Sequence, residues 1–256
     1  MKVTILGCGP SGGVPLIGND WGECDPGNPK NQRRRASILV QQDGAQILVD
    51  ASPDMRMQLL DAGVSRLDAI LFTHAHADHC HGIDEVRALN RAMSQPIPIY
   101  AAAATLAELK QRFNYIFRPS DPAAGAAFYK PSLLPTVIDG PFEVAGVRAV
   151  PFAQNHGFST TLGFRFGALA YSTDVVELDE PAFATLEGLE TWIVDCYRRT
   201  PHPTYSHLER TLEWIARVNP KRAILTHMDV QLDYETLRRE LPRGVEPAHD
   251  AMVIES

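Results

Sequence analysis

Residues 73–79 read Thr-His-Ala-His-Ala-Asp-His, and they place three imidazoles and a carboxylate within six positions directly after a mainly apolar run. A strand that ends in such a cluster delivers several ligands to one point, and neutral imidazole and carboxylate groups suit zinc, iron and manganese. His74 and His76 alternate along an extended chain, so their side chains point the same way. Asp78 and His79 come from the turn that follows. The alternative is a polar surface loop that happens to be rich in histidine.

Three more candidate ligands follow in matching contexts. His156, Asp174 and His227 each lie at or just past the end of an apolar, strand-like stretch. Sites in layered α/β folds are usually placed at strand ends. Each of these residues alone is more often a cap or a turn residue. Together with the first cluster they make seven candidate ligands, the number that a two-metal site needs.

The spacing of these residues resembles the metallo-β-lactamase superfamily. The segment from Gly7 to Pro15, the pair Asp195-Cys196 and the run from Ile224 to Met228 narrow the resemblance to the PhnP-like phosphodiesterases, which hydrolyse cyclic phosphodiesters. The resemblance covers nearly the whole chain. It implies an α/β fold, the αββα sandwich of two mixed sheets packed face to face with helices outside.

The resemblance also implies a role for each candidate ligand. His74, His76 and His156 would hold a first metal, Asp78, His79 and His227 a second, and Asp174 would bridge both. The expected cofactors are two divalent ions; histidine-rich ligation favours zinc, and the oxygen ligands leave manganese open. The expected reaction is attack on phosphorus by a hydroxide held between the metals, with Asp78 orienting it.

Other residues are candidates for fixing the imidazole tautomers. Asp50 ends the run 47–50 and matches an acidic position that the superfamily has after an early strand. Thr73 and Asp195 are further candidates, as is Thr226.

His207 is a candidate outside the metal set. It lies in the pattern Ser-His-Leu-Glu, which predicts a capping box that begins with Ser206, and a helix amino terminus favours anions. The resemblance implies that His207 lies beside the substrate phosphate, binds it and protonates the leaving oxygen. The alternative is a solvent-exposed histidine in the first turn.

The chain departs from the best-known members of the branch at a structural zinc site. Those members carry a Cys-x-Cys-x-x-Cys cluster after the Gly-Val-Pro segment and a histidine shortly after the last ligand. Here only Cys24 remains, and Val230 stands at the histidine position. One cysteine cannot supply a tetrahedral zinc site. We therefore expect no third metal, and expect Asp20, Asn28 and Asn31 to hold the loop 18–32 by bonding to its backbone.

The length of the chain and a resemblance that covers nearly all of it predict a single domain over 1–256. Strand signals fall near 2–8, 36–42, 45–50, 68–73, 97–101, 147–152, 162–166, 169–173, 191–195 and 222–226, and helix signals near 53–63, 82–94, 103–113, 206–218 and 233–240. Asp43-Gly44 predicts a hairpin turn. Residues 117–142 are irregular in pattern, which predicts a lid or an insertion.

Composition narrows the choice of function. A net charge of −7 argues against nucleic acid as a partner. Among the substrates that the resemblance implies, a small phosphodiester or nucleotide-like substrate is preferred. An RNA-processing nuclease, a lactone or thioester hydrolase and a non-catalytic nucleotide binder are the alternatives. Residues 1–6 are strand-like, no apolar stretch is long enough to span a bilayer, and the four cysteines lack paired spacing, which together predict a cytoplasmic protein without a membrane partner. A homodimer is left open.

Overall fold

The computed structural model describes residues 1–119 and 132–255 of the chain. Its strands are β1 (Lys2–Gly7), β2 (Ser37–Gln42), β3 (Ala45–Val49), β4 (Ala69–Leu71), β5 (Ile97–Ala101), β6 (Leu133–Val137), β7 (Phe142–Val144), β8 (Val147–Asn155), β9 (Thr160–Phe166), β10 (Leu169–Ser172), β11 (Thr191–Asp195), β12 (Arg222–Thr226), β13 (Val245–Pro247) and β14 (Val253–Glu255). Its α-helices are α1 (Met55–Asp61), α2 (Ala77–Cys80), α3 (Val86–Met93), α4 (Ala103–Arg112), α5 (Asn114–Phe117), α6 (Glu180–Leu186), α7 (Leu208–Val218) and α8 (Tyr234–Glu240). Within the described ranges, no helix has the length and apolar character needed to cross a lipid bilayer.

The strands form two seven-stranded sheets of mixed direction. The first sheet has the order β14-β1-β2-β3-β4-β5-β6, and the second has the order β13-β12-β11-β10-β9-β8-β7. Strands β1 to β3 and β7 to β10 pair antiparallel with their neighbours along the chain. Strands β3 to β6 and β10 to β13 pair parallel. Parallel neighbours need crossover connections, and these carry the helices.

Alternation along the strands builds two apolar layers. Val40 of β2 belongs to a buried cluster that also contains Phe166 and other residues of the second sheet. Its neighbour Leu39 points the other way, into a cluster shared with Met55 of α1 and Leu106 of α4. The first sheet is therefore buried on both faces at its centre. The αββα sandwich that the sequence predicted is confirmed.

Strong local signals give the elements that the sequence predicted. Asp43 and Gly44 join β2 to β3 with φ of 51° and 86°, as a two-residue hairpin of type I′ requires. The helix predicted over 82–94 is a short 3₁₀ turn, Ile83–Glu85, followed by α3. The hydrogen bonds expected in the loop 18–32 are present, for example from Gly22 N to Asp20 Oδ1 at 2.9 Å.

The segment 117–142 is in part a strand, which corrects the prediction that it is irregular throughout. Leu133–Val137 pairs parallel with β5 and forms the edge of the first sheet. Four of its five residues are exposed, so the strand lacks an apolar pattern. An edge strand also tolerates Pro135, because the missing N–H leaves no central hydrogen bond unmade. Residues 120–131 of the predicted lid lie outside the described residues.

Candidate metal centre

The seven candidate ligands lie at the carboxyl ends of strands from both sheets. His74 follows β4 in the first sheet, and His156, Asp174 and His227 follow β8, β10 and β12 in the second. Asp78 and His79 belong to the short helix α2, which begins directly after His76. The candidate site therefore spans the seam between the two sheets.

The structure brings the seven side chains together into two groups that share one residue. The first group is His74, His76, His156 and Asp174, and the second is Asp78, His79, Asp174 and His227. Within each group one ligand atom from every residue lies within 4.8 Å of the others. This arrangement is the division that the resemblance implied, although the role of these residues as ligands stays a prediction.

Several buried atoms in these groups have no hydrogen-bond partner. They are His74 Nε2, Asp78 Oδ2, His79 Nε2, Asp174 Oδ2 and His227 Nε2. Of these atoms, His74 Nε2 and Asp174 Oδ2 lie 3.7 Å apart. Buried polar atoms without partners are costly. Convergent nitrogen and oxygen donors of this kind fit a pair of divalent cations, which would supply the missing partners.

Asp50 and Thr73 hold two of the imidazoles from behind. Asp50 Oδ2 lies 2.7 Å from His79 Nδ1, and it also accepts a hydrogen bond from Thr73 Oγ1 at 2.8 Å. Thr73 Oγ1 lies 2.9 Å from His74 Nδ1. Because the Nδ1 atoms are engaged on this side, both rings present Nε2 to the centre of the cluster. The structure thus places both residues where they can fix the tautomers.

The segment Thr204–Ser206 holds the other side of the cluster, and the sequence pointed only to Ser206, as a helix cap. The backbone oxygen of Thr204 lies 2.6 Å from His156 Nδ1. Ser206 donates its backbone N–H to Asp195 Oδ2 at 3.2 Å. Asp195 Oδ1 in turn lies 3.4 Å from His227 Nδ1. One short segment is therefore connected to a ligand in each of the two groups.

Tyr205, in the middle of this segment, forms an aromatic wall beside both groups. Its ring centroid lies 4.9 Å from that of His156 and 5.2 Å from that of His227. Tyr197 stacks on it at 4.5 Å, and His202 contacts it at 4.8 Å. Burial, and then the negative charge of the nearby carboxylates, raises the pKa of Tyr205 well above its usual value. The phenol therefore stays protonated and can only donate its proton in a hydrogen bond or accept through oxygen.

Three residues of the site have left-handed backbone conformations. The φ angles are 66° for Asp50, 54° for Asp174 and 59° for His227. Non-glycine residues rarely adopt this region, and such strain persists only where the surroundings hold it in place. All three lie within two residues of the end of a strand, so the sharp change of direction turns each side chain into the site.

The charges within the cluster set the proton-binding properties of its imidazoles. Burial lowers the pKa of His227, but Asp174 and the other carboxylates outweigh it and raise the value to about 10. Burial likewise opposes protonation of His79, yet Asp174 and Asp78 hold its pKa well above the usual range. The pKa of His74 is lowered by burial and by the charge on His79. Metal binding must therefore displace protons from the second group.

His207 lies at the amino terminus of α7, half-buried, with its backbone oxygen accepting a hydrogen bond from Thr211 N at 2.9 Å. In the described part of the chain, the hydrogen bonds and ring contacts of the seven candidate ligands do not include its ring. It lies two residues after Tyr205 along the chain.

The capping box predicted there is wrong, because the hydroxyl of Ser206 does not cap the helix. Ser206 Oγ instead donates to Asp195 O at 2.7 Å and lies 2.6 Å from Thr211 Oγ1. Ser206 is fully buried, so its hydroxyl satisfies a buried carbonyl rather than a free N–H of the first turn.

Comparisons with known proteins agree with this architecture. The family model described as the β-lactamase superfamily domain matches residues 45–228. A solved structure of a new diphosphatase from the PhnP family has a TM-score of 0.91 and 34% identity, and the match covers 100% of this chain and 97% of that one.

Two curated relatives carry other names. An octanoyltransferase of Porphyromonas gingivalis is 32% identical over 89% of this chain and 46% of its own length. A ribonuclease Z of Bradyrhizobium sp. is 47% identical over 57 residues, which are 22% of this chain and 19% of that protein. The chain spans about half or less of the length of these curated relatives, so their names do not transfer with the similarity.

Proposed function

Because the chain belongs to the metallo-β-lactamase superfamily and to its PhnP-like branch, we propose that it is a hydrolase with two divalent metals that cleaves a small cyclic phosphodiester. The observation that carries the proposal is the pair of ligand groups joined by Asp174. The resemblance in fold and sequence to a PhnP-family diphosphatase supports phosphorus as the atom attacked.

The donor set suits zinc best and also accommodates manganese. Zinc accepts imidazole and carboxylate ligands readily, and the two groups offer five imidazoles and two carboxylates. The carboxylate oxygens are hard donors that manganese also tolerates. When bound, the two ions would supply Lewis acidity and would lower the pKa of a coordinated water.

The chain's own residues would orient the reacting groups. His227 and especially His79 lower the pKa of Asp78 well below its usual range, although burial alone would raise it. Asp78 therefore remains a carboxylate, which can accept a hydrogen bond from the attacking water. Asp50, Thr73 and the carbonyl of Thr204 would hold the imidazoles in position.

We assign His207 to the substrate phosphate. It stands at the amino terminus of an eleven-residue helix, where the backbone dipoles favour an anion. Its ring would bind a phosphate oxygen and donate a proton to the leaving oxygen. The aromatic wall of Tyr197, His202 and Tyr205 offers an apolar face for a compact sugar or a nucleotide base.

A substrate panel tests the proposal. Protein reconstituted with zinc or with manganese is assayed on bis-aryl phosphate, cyclic nucleotides, cyclic ribose phosphates, aryl phosphate monoesters and lactones. We expect kcat/KM on the phosphodiesters to exceed that on monoesters and lactones by about 100-fold or more, since the site must match the transition state of one reaction. Comparable values on lactones would instead assign the protein to the carbon-ester hydrolases.

Metal content provides a matched pair of controls. Elemental analysis should give about two equivalents for the wild type, as a two-metal site requires, and clearly less for Asp174→Ala. Asp179→Ala should retain the wild-type content, because Asp179 caps α6 through Ala182 N and lies outside both groups. A well-folded wild type that takes up at most one equivalent would exclude the two-metal assignment.

Two observations favour further substrates for the same panel. Similarity to a diphosphatase makes diphosphate diesters the next class to assay. The short match to a ribonuclease Z favours an RNA-processing nuclease. The net charge of −7 opposes binding of a long polyanion. Efficient cleavage of a precursor transfer RNA, with little activity on small diesters, would support the nuclease.

A further inference from the structure

Arg33 is a buried cation beside the segment that follows His227. Its residue is 2% exposed, and its guanidinium is enclosed by the loop 18–32 and by residues 229–232. Nη1 donates to Asp229 O at 3.1 Å, and Nη2 donates to Leu232 O at 2.6 Å. Two backbone carbonyls three residues apart are thereby held by one planar group.

The remaining contacts of the guanidinium are also with neutral atoms. Nη2 donates to Asn31 Oδ1 at 3.3 Å, and Nη1 lies 3.8 Å from Cys24 Sγ. Burial raises the pKa of the Cys24 thiol, so the sulfur is uncharged. Among the ion pairs of the described residues, none involves Arg33. A charge buried without a paired carboxylate is costly, so its retention here calls for a function that the charge and the donors of its two terminal nitrogens serve.

The same segment is anchored on its other side by backbone hydrogen bonds. Met228 N donates to Cys8 O at 2.9 Å, and Asp229 N donates to Tyr197 O at 2.8 Å. The hydrogen bond from Arg33 to Asp229 O therefore holds the residues directly after His227 from the opposite side. His227 itself has a φ of 59°, a conformation that persists only when its surroundings hold it.

We propose that Arg33 is a positioning residue for the second metal position, acting through residues 228–232 on the backbone and ring of His227. Its guanidinium serves as a permanent internal cation that organises the carbonyls of this segment. The inference rests on the proposed function only in treating His227 as a metal ligand, and it is independent of the substrate.

Metal affinity tests the inference without any assay of activity. Wild type, Arg33→Met, Arg33→Lys and the control Arg34→Met are titrated with zinc in competition with a chromophoric chelator. Arg34 is a suitable control because it is the adjacent arginine and makes a surface ion pair with Asp61. His227→Ala and His156→Ala serve as references for loss of the second and of the first metal.

We expect Arg33→Met to weaken one of the two equivalents by about 10-fold or more, as measured for residues that orient metal ligands. The pattern should match that of His227→Ala rather than that of His156→Ala. Arg33→Lys, which keeps the charge but loses the planar fork, should show a smaller loss and covers the case in which Arg33→Met does not fold. Arg34→Met should bind both equivalents as the wild type does.

Chemical rescue separates a positioning role from a general loss of stability. In Arg33→Ala, added methylguanidinium should restore the affinity of the weakened equivalent, because the cavity matches the missing group. Unchanged affinities in folded Arg33→Met and Arg33→Lys would overturn the inference and leave the proposed function intact. Equal weakening of both equivalents, without rescue, would also overturn it. A wild type that binds fewer than two equivalents would overturn the inference together with the two-metal function.

Discussion

The residues of the candidate site differ in how readily they can be predicted from the sequence. The sequence predicts four of the candidate ligands because the strand end and the short helix bring residues that are close in sequence to one point. These ligands are His74, His76, Asp78 and His79. The contact of the Thr204 carbonyl with His156 could not be predicted, because every residue type carries a backbone oxygen. No residue type therefore indicates which carbonyl faces His156. Such contacts are fixed by tertiary packing alone.

His207 provides a prediction at this scale. His207→Ala should leave both metals bound, because the residue belongs to neither ligand group. Turnover should fall by about 10²–10⁴-fold on substrates with a poor leaving group, as loss of a general acid does. The loss should be smaller with nitrophenolate, which departs without a proton. The measurement is kcat and KM on both kinds of diester.

The outcome also separates the two roles assigned to this ring. If His207 only binds phosphate, the penalty should be similar for good and poor leaving groups and should lie largely in KM. Wild-type kinetics on both substrates would leave His207 as an exposed residue of the first helical turn.

At the scale of elements, short and exposed segments were not predicted from the sequence. Strands β7, β13 and β14 have three residues each, too few to establish an alternation. Helix α6 was missed although it carries a start signal, since Asp179 accepts a hydrogen bond from Ala182 N at 2.9 Å and Pro181 stands in the first turn. The long elements with strong apolar patterns lie where the sequence predicted them.

The packing of α2 against the segment after β3 yields a second prediction. A Cβ on Gly82 would lie 1.9 Å from Ser52 O and 2.8 Å from Met55 Cβ. Gly82→Ala should therefore force α2 away from this segment, lower the free energy of unfolding by about 3 kcal/mol and weaken metal binding. Urea unfolding of metal-free protein and metal titration measure the two effects.

Gly63→Ala is the matched control. Gly63 follows α1 with a φ of 66°, and a Cβ there would meet nothing within 4 Å. The substitution should cost about 1 kcal/mol through backbone strain alone and should leave metal affinity unchanged. Equal effects of the two substitutions would show that close packing at Gly82 does not position α2.

At the scale of the whole molecule, the chain leaves the second sheet after Pro247 and enters the first again at Val253. Asp250 holds this return connection by accepting hydrogen bonds from Arg34 N at 2.9 Å and Cys8 N at 3.2 Å. Burial raises the pKa of Asp250 from 3.8 to about 6, although these hydrogen bonds act against the rise. Between these two pH values, the folded protein therefore holds a proton here that the unfolded chain has released.

A pH dependence of stability follows from this proton. Between pH 4 and pH 6 the native state binds more protons at Asp250 than the unfolded state, so its contribution to the free energy of unfolding falls as the pH rises and then levels off. A rise of the pKa from 3.8 to about 6 corresponds to a fall of about 3 kcal/mol in the free energy of unfolding. Because Asp250 is only partly buried, this value is an upper limit. Urea unfolding of metal-free wild type and Asp250→Asn from pH 4 to pH 7 measures it as the difference between the two. A difference independent of pH would contradict the raised pKa.

The passage of the chain between the sheets has one more consequence. The chain goes from the first sheet to the second between Val137 and Phe142, and returns only near its carboxyl end. A cut at 138–141 would leave four of the candidate ligands on one fragment, and His156, Asp174 and His227 on the other. Neither fragment would own a complete coordination shell. Such a pair of fragments would form a two-part metal sensor, in which metal binding returns only when both fragments and the metal are present together.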